Sequence, residues 1–181
     1  MIRKLLIITC LISVASLASA RKTFKNDTPL FDKQDVNDTP GDYRVVGAPM
    51  PKIYFIRKDG GKITNSDISK KRKTIIMIYN PLCEHCEDET VLIGQNIQKF
   101  DNTDFILLAA PNMTGQYSYF ENTVHVSKYP QLVQAADSSG FIEKVYTYES
   151  LPQINIYDKH HKLMKIFTGD VAIDSVTAYL D

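Results

Sequence analysis

The chain has 181 residues, with 21 Lys and Arg against 21 Asp and Glu and three cysteines. A balanced charge leaves no basic excess to hold nucleic acid. Three cysteines are too few for the disulfide framework of a small secreted scaffold, which needs several pairs.

The first twenty residues, MIRKLLIITCLISVASLASA, begin with Arg3 and Lys4, continue through an apolar run from Leu5 to Leu17 and end on the small residues Ala18 and Ala20. This is the pattern of a secretory signal, and cleavage is expected after Ala20. The run is too short for a comfortable membrane span, and no second one follows, so the mature chain is expected to carry no stable span. Cleavage also removes Cys10, leaving Cys83 and Cys86 as the only thiols. From Arg21 to Arg44 the chain is polar and turn-rich, with NDTP at 26–29 and again at 37–40. It has too little apolar surface to offset its ordering entropy and is expected to be a mobile leader. Residues 45–181 then suit one domain. Asn26, Asn37 and Asn112 each fit the N-x-Thr glycosylation pattern.

The domain opens on VGAPMPKIYF, an extended lead-in, followed by a turn at Asp59-Gly60-Gly61. TIIMIY (74–79) is an apolar run of strand length rich in branched side chains, as a strand covered on both faces requires. Next, Cys83, Cys86, Thr90, Ile93, Ile97 and Phe100 recur at steps of three and four, which predicts one helical stripe. DFILLAA (104–110) is a second buried strand, so strand, helix and strand make a βαβ unit with parallel strands. The stretch from Pro111 to Ser139 is expected to hold one or two short helices and a strand near QLVQAA. QINIY (153–157), the DKHHK turn and LMKIF (163–167) read as a hairpin, with His160 and His161 solvated in its turn. A closing helix is expected to carry Ala172, Val176, Tyr179 and Leu180 on one face.

The cysteines in NPLCEHCEDE carry the chemistry. A residue at a helix N-terminus meets unpaired N–H groups and the positive end of the helix dipole, both of which favour a thiolate. Cys83 is therefore the expected nucleophile. Cys86, one turn further into the covered stripe, is the expected resolving thiol. Two other uses fit less well. A structural zinc site wants four ligands, and no second cysteine pair exists; His85, His125, His160 and His161 show no zinc spacing. A structural disulfide across three residues would close a very small loop and gain little. No metal and no cofactor are expected.

VGAPMPKIYF, DGGKI, TIIMIYNPLCEHCEDE and LPQINIYDKHHKLMKIFTG come in the order found in the TlpA-like extracytoplasmic thiol–disulfide oxidoreductases. The chain resembles that family over about 45–181. The resemblance implies a thioredoxin-like three-layer α/β fold, a central mixed sheet with flanking helices. It implies that Pro152 is the cis-proline of the fold, with the Leu151 backbone pairing with an extended substrate segment; the residues alone do not show a cis bond, and the alternative is an ordinary trans proline opening a strand. Glu89 matches the glutamate of the family's C-x-x-C-x-x-E pattern, a proton-handling neighbour of the thiols. Its other reading is shared with Glu84, Glu87 and Asp88: an acid that stabilises the first turns of a helix. His85 occupies the position of the histidine in disulfide isomerases and DsbA-type oxidases, where it stabilises the thiolate, while Glu84 beside it pushes the other way; otherwise His85 is a solvated helix-tip residue.

The chain also departs from the pattern. Leu82 replaces a tryptophan, Met77 a buried acid and Val91 a helix-kinking proline. Asn80, three before Cys83, stands where a peroxiredoxin has threonine or serine. Tyr117, Tyr119 and Phe120 would either shape a partner groove or serve as local core.

The expected function is that of an exported, periplasmic or extracytoplasmic, protein-disulfide reductase. Its expected partners are protein thiol or disulfide substrates and an upstream thiol donor. The alternatives are a disulfide oxidase or isomerase, or a non-catalytic binding module on the same fold.

Overall fold

The computed structural model describes residues 42–180. The expected signal segment lies outside them, as do residues 21–41 with Asn26 and Asn37. Seven strands form one mixed sheet: β1 Tyr54–Arg57, β2 Lys62–Thr64, β3 Lys73–Ile78, β4 Thr103–Ala109, β5 Leu132–Asp137, β6 Gln153–Tyr157 and β7 Leu163–Thr168, in the order β2-β1-β5-β4-β3-β6-β7. The α-helices are α1 Glu84–Gln95, α2 Tyr117–Val124 and α3 Ile173–Thr177.

β3 lies inside the sheet because its sequence lets it. Five of its six residues are buried, and the strand pairs parallel with β4 (Ile75 opposite Phe105) and antiparallel with β6 (Ile75 opposite Ile156). Alternation then builds two cores. Ile75 and Met77 face a cluster with Cys86, Ile93, Phe120, Val124, Ile173 and Val176, so all three α-helices lie on that side. Ile76 and Ile78 face the other cluster, with Met50, Ile53, Ile68, Phe141, Ile142 and Tyr146. On this second face the outer layer among the described residues is irregular chain and a single π-helical turn, Phe141–Val145, rather than α-helix. Asp137 starts that turn by accepting the Ile142 N–H at 2.8 Å. On this face Tyr146 donates its hydroxyl to the Tyr43 carbonyl at 2.8 Å, so the chain is tied down from Tyr43 onward.

The lead-in is divided. Gly47 and Met50 donate to the carbonyls of Leu163 and His161, with an isolated antiparallel bridge between Pro49 and Lys162, and Tyr54–Arg57 forms the strand proper, pairing with β2 and β5. The helical stripe expected through Phe100 also breaks. Asn96 turns its side-chain amide back to the Leu92 carbonyl at 2.9 Å, and the chain continues as a 3₁₀ turn, Ile97–Phe100. Gly94 just before it is a poor helix former. Phe100 still reaches the core and meets Phe105 edge-on, with centroids 5.6 Å apart. The closing helix is shorter than expected, because Tyr179 and Leu180 pack beyond its last turn. The hairpin of β6 and β7 forms where expected, its turn held by Asp158 Oδ1, which accepts the N–H groups of His160 and Lys162 at 2.8 Å each.

Gly94 is where α1 meets the rest of its layer: a Cβ there would lie 2.4 Å from Cε2 of the Tyr129 ring. Helix propensity favours alanine over glycine by about 1 kcal/mol, while overpacking a filled site costs about 1–3 kcal/mol. Gly94→Ala is therefore expected to lower stability by up to about 2 kcal/mol in urea unfolding; a stabilised variant would mean that the Tyr129 ring swings clear.

Candidate functional site

The site begins where β3 stops. Tyr79 makes one more ladder bond, its N–H to the Leu108 carbonyl at 3.0 Å, and Pro81 has no N–H to continue it. Asn80 then shapes the turn by accepting the Leu82 N–H on its side chain at 2.9 Å and the Cys83 N–H on its carbonyl at 3.0 Å. Cys83 is the N-cap of α1, with φ −100° and ψ 115°. Its carbonyl accepts the N–H groups of Cys86 and Glu87. Its side chain makes no capping bond, so the sulfur remains free for chemistry at the end of the helix.

The two thiols occupy unlike surroundings. Both are free cysteines; Cys83 is half-buried and Cys86 is 0% exposed. Burial pushes the Cys86 thiol far above the ordinary range. A hydrogen bond from the Asn80 backbone N–H acts against this, while the hydrogen bond to Cys83 and the nearby charges of Cys83 and Glu87 add to it. Cys86 is thus held protonated behind its neighbour. Thr90 closes the same helical turn, its hydroxyl donating to the Cys86 carbonyl at 2.6 Å.

Glu89 lies on the buried face one turn beyond Cys86 and is 4% exposed. It is therefore not simply a solvated first-turn acid like Glu84. One carboxylate oxygen accepts the Val171 N–H at 3.4 Å, and the other has no partner among the described residues. Burial raises its pKa; the Val171 N–H opposes this and the charge of Asp170 adds to it. His85 points outward, its Nδ1 3.0 Å from Asp170 Oδ1. Asp170 was not among the residues singled out in the sequence: nothing local marks it, because its partner is 85 positions away.

The Leu151–Pro152 bond is cis. Pro152 directly precedes β6, whose first residue, Gln153, stands opposite the last residue of β3, Ile78. The register therefore carries Pro152 and Leu151 past the end of β3, the end from which the chain turns to Cys83. Leu151 and Cys83 border the same core cluster. The aromatic residues of the insertion divide differently: Tyr117 and Phe120 are buried core, Phe120 against Tyr79 with centroids 4.8 Å apart, and only Tyr119 is exposed. Two of the three residues considered for a partner groove are thus taken up by packing under α2. Among the described residues no group of three or more His, Cys, Asp or Glu could hold a metal ion, and no helix is long and apolar enough to cross a membrane.

No family model and no curated protein sequence matches the chain. Solved structures do. A secreted Mycobacterium tuberculosis disulfide oxidoreductase homologous to E. coli DsbE is 14% identical, with a TM-score of 0.57, covering 70% of this chain and 92% of that one. The thioredoxin domain of a thiol–disulfide oxidoreductase from Bacteroides vulgatus is 16% identical, with a TM-score of 0.58, covering 76% and 99%. StoA from Bacillus subtilis is 15% identical, with a TM-score of 0.55, covering 72% and 97%. At such identities the likeness shows the fold: the chain has the thioredoxin-like α/β fold.

The raised pKa of Glu89 makes stability depend on pH. An unfolded chain ionises this carboxyl near the ordinary 4.5, whereas the folded chain does so only at higher pH. The group's contribution is full below the unfolded value and is lost as pH rises through the folded one. Glu89→Gln is expected to be more stable than the parent at about pH 7.5 and to lose that advantage at about pH 4. Denaturant unfolding at the two pH values measures it, and an equal effect at both would contradict the assignment.

Proposed function

We propose that the protein is an exported thiol–disulfide oxidoreductase that reduces disulfides in other proteins, with Cys83 as nucleophile and Cys86 as resolving thiol. The observation that carries this reading is the asymmetry of the pair: a half-buried sulfur free at a helix N-cap, and behind it a buried thiol held protonated and hydrogen-bonded to it. Export is supported by the signal-like first twenty residues.

In the forward reaction the Cys83 thiolate attacks one sulfur of a substrate disulfide. The other substrate sulfur leaves as a thiolate and takes up a proton. Cys86 then loses its proton and attacks Cys83, forming the Cys83–Cys86 disulfide and releasing the second substrate thiol. Two electrons pass from the dithiol to the substrate, and an upstream thiol donor returns the pair to its reduced form. A thiol held protonated by burial needs a base for the second step. Glu89 is the fitting group, a carboxyl on the same buried face whose raised pKa brings it toward working pH. Leu151 and Pro152 supply the extended backbone against which a substrate segment would align beside Cys83. The likeness in fold to a secreted disulfide oxidoreductase and to the thioredoxin domain of a thiol–disulfide oxidoreductase supports the same reading.

His85 supports a second direction, oxidation or isomerisation, because a histidine between the cysteines can stabilise the thiolate by hydrogen bonding or charge and with it the reduced pair, an effect that the adjacent Glu84 opposes. Reduction potential separates the two: near about −270 mV the protein is a reductase, near about −120 mV an oxidase.

With a protein disulfide as substrate, Cys83→Ser is expected to abolish turnover. Cys86→Ser is expected to retain the first attack and accumulate a mixed disulfide on Cys83, visible by mass spectrometry. An adduct on Cys86 in the Cys83→Ser variant would reverse the roles, and unreactive thiols in the parent would leave the fold as a binding module.

A further inference from the structure

Three parts of the proposed site meet at one turn between β7 and α3. Gly169 donates its N–H to the Pro152 carbonyl at 2.8 Å, Asp170 engages His85 at 3.0 Å and the Val171 N–H reaches Glu89 at 3.4 Å. Three successive residues thus touch the proline loop, one of the two residues between the cysteines and the buried carboxyl. The turn depends on Gly169, which has φ +72°, a region that side-chain-bearing residues avoid. Space is not the reason, since a Cβ there would find only Ser150 Oγ, at 3.8 Å.

We infer that the Gly169–Val171 turn is a positioning element of the thiol site, in which Asp170 orients the His85 imidazole and offsets its charge beside Cys83, holding the pair toward the reducing side. The inference rests on the exchange chemistry proposed above and adds to it the residue that sets its balance. A protonated imidazole between the cysteines stabilises a thiolate and so favours the reduced form, which makes the pair a stronger oxidant. A carboxylate on the ring nitrogen acts in the opposite sense. It places a negative charge next to the positive one, and its hydrogen bond fixes the orientation of the ring. His85 and Asp170 are 67% and 71% exposed, so the effect is that of a solvent-screened pair, at most about fivefold in an equilibrium constant. It is directional all the same: Glu84 and Glu87 act on the pair whether or not Asp170 is charged, and loss of the Asp170 carboxylate removes the one negative charge bonded to the ring itself.

The test is the equilibrium of the purified full-length chain with glutathione redox buffers, the state of Cys83 and Cys86 being read by alkylation and peptide mass. Asp170→Asn is expected to move the equilibrium toward the dithiol by about two- to fivefold. Fivefold corresponds to about 20 mV for a two-electron couple, at 29.6 mV per tenfold. Asp170→Glu, which keeps the charge, is expected to stay within about 1.5-fold of the parent, as is Asp170→Asn when compared with its own background in a His85→Ala chain. No shift, a shift toward the disulfide, or a shift of full size without His85 overturns the inference while leaving the exchange reading in place. A parent chain whose cysteines do not equilibrate with glutathione overturns both.

Discussion

The proposed site depends on one difference in burial: a thiol that burial holds protonated lies one helical turn behind a half-buried thiol at the helix N-cap. Helix geometry supplies the spacing, since residues three apart share a face, and the sheet supplies the burial. Cys86 lies in the same cluster as Met77, Tyr79, Ile154 and Ile156, on the covered side of the central strands. Cys83, as N-cap, is the last residue before that covered stripe begins. If α1 started a residue earlier or later, a different pair of positions would take these two environments.

What holds the start of α1 in place is the way β3 ends. The strand cannot extend past Pro81, and the Asn80 turn spends its carbonyl and its side chain on Cys83 and Leu82. The Asn80 backbone N–H acts on the Cys86 thiol against the effect of its burial. Nearby, Tyr79 accepts a hydrogen bond from Gln134 at 3.1 Å on β5 and packs on Phe120 of α2. The insertion that follows β4 thus contributes to the site chiefly from below, by filling the floor under the thiol helix.

Much of this was legible in the sequence. An apolar branched run, a proline and a C-x-x-C at the head of a 3.6-residue stripe locate β3, α1 and β4 closely, and the alternating QINIY and LMKIF locate the hairpin. All these signals are local. What was not legible is long-range or depends on small local choices. Asn96 ends α1 through a back-bond to Leu92 that competes with the helix, although the apolar period runs on to Phe100. The second face is covered by a π-helical turn whose anchor, Asp137, reads as a strand end. Asp170 meets His85 only because β7 returns beside the proline loop, a consequence of topology that no window of residues contains.

The departures from the resembling family become physical once placed. Val91 is half-buried against the core of α1, and without a proline there the helix runs unbroken from Glu84 to Gln95. Leu82 is 54% exposed beside Cys83, so an apolar side chain still borders the first cysteine where the resembling family has a tryptophan. Met77 is fully buried on the strand face that looks toward α1. An acid there would have placed a second buried carboxyl in the cluster that already borders the thiol helix. Two ionisable carboxyls in so small an apolar volume raise one another's pKa, because the charged form of each is penalised by the other as well as by burial. With Met77 in the strand, Glu89 is the carboxyl left to take the proton-handling role proposed above. Besides burial, that carboxyl is tuned by the Val171 N–H and the Asp170 charge rather than by a second buried acid, so the same short turn borders both the buried carboxyl and His85, one of the two residues between the cysteines.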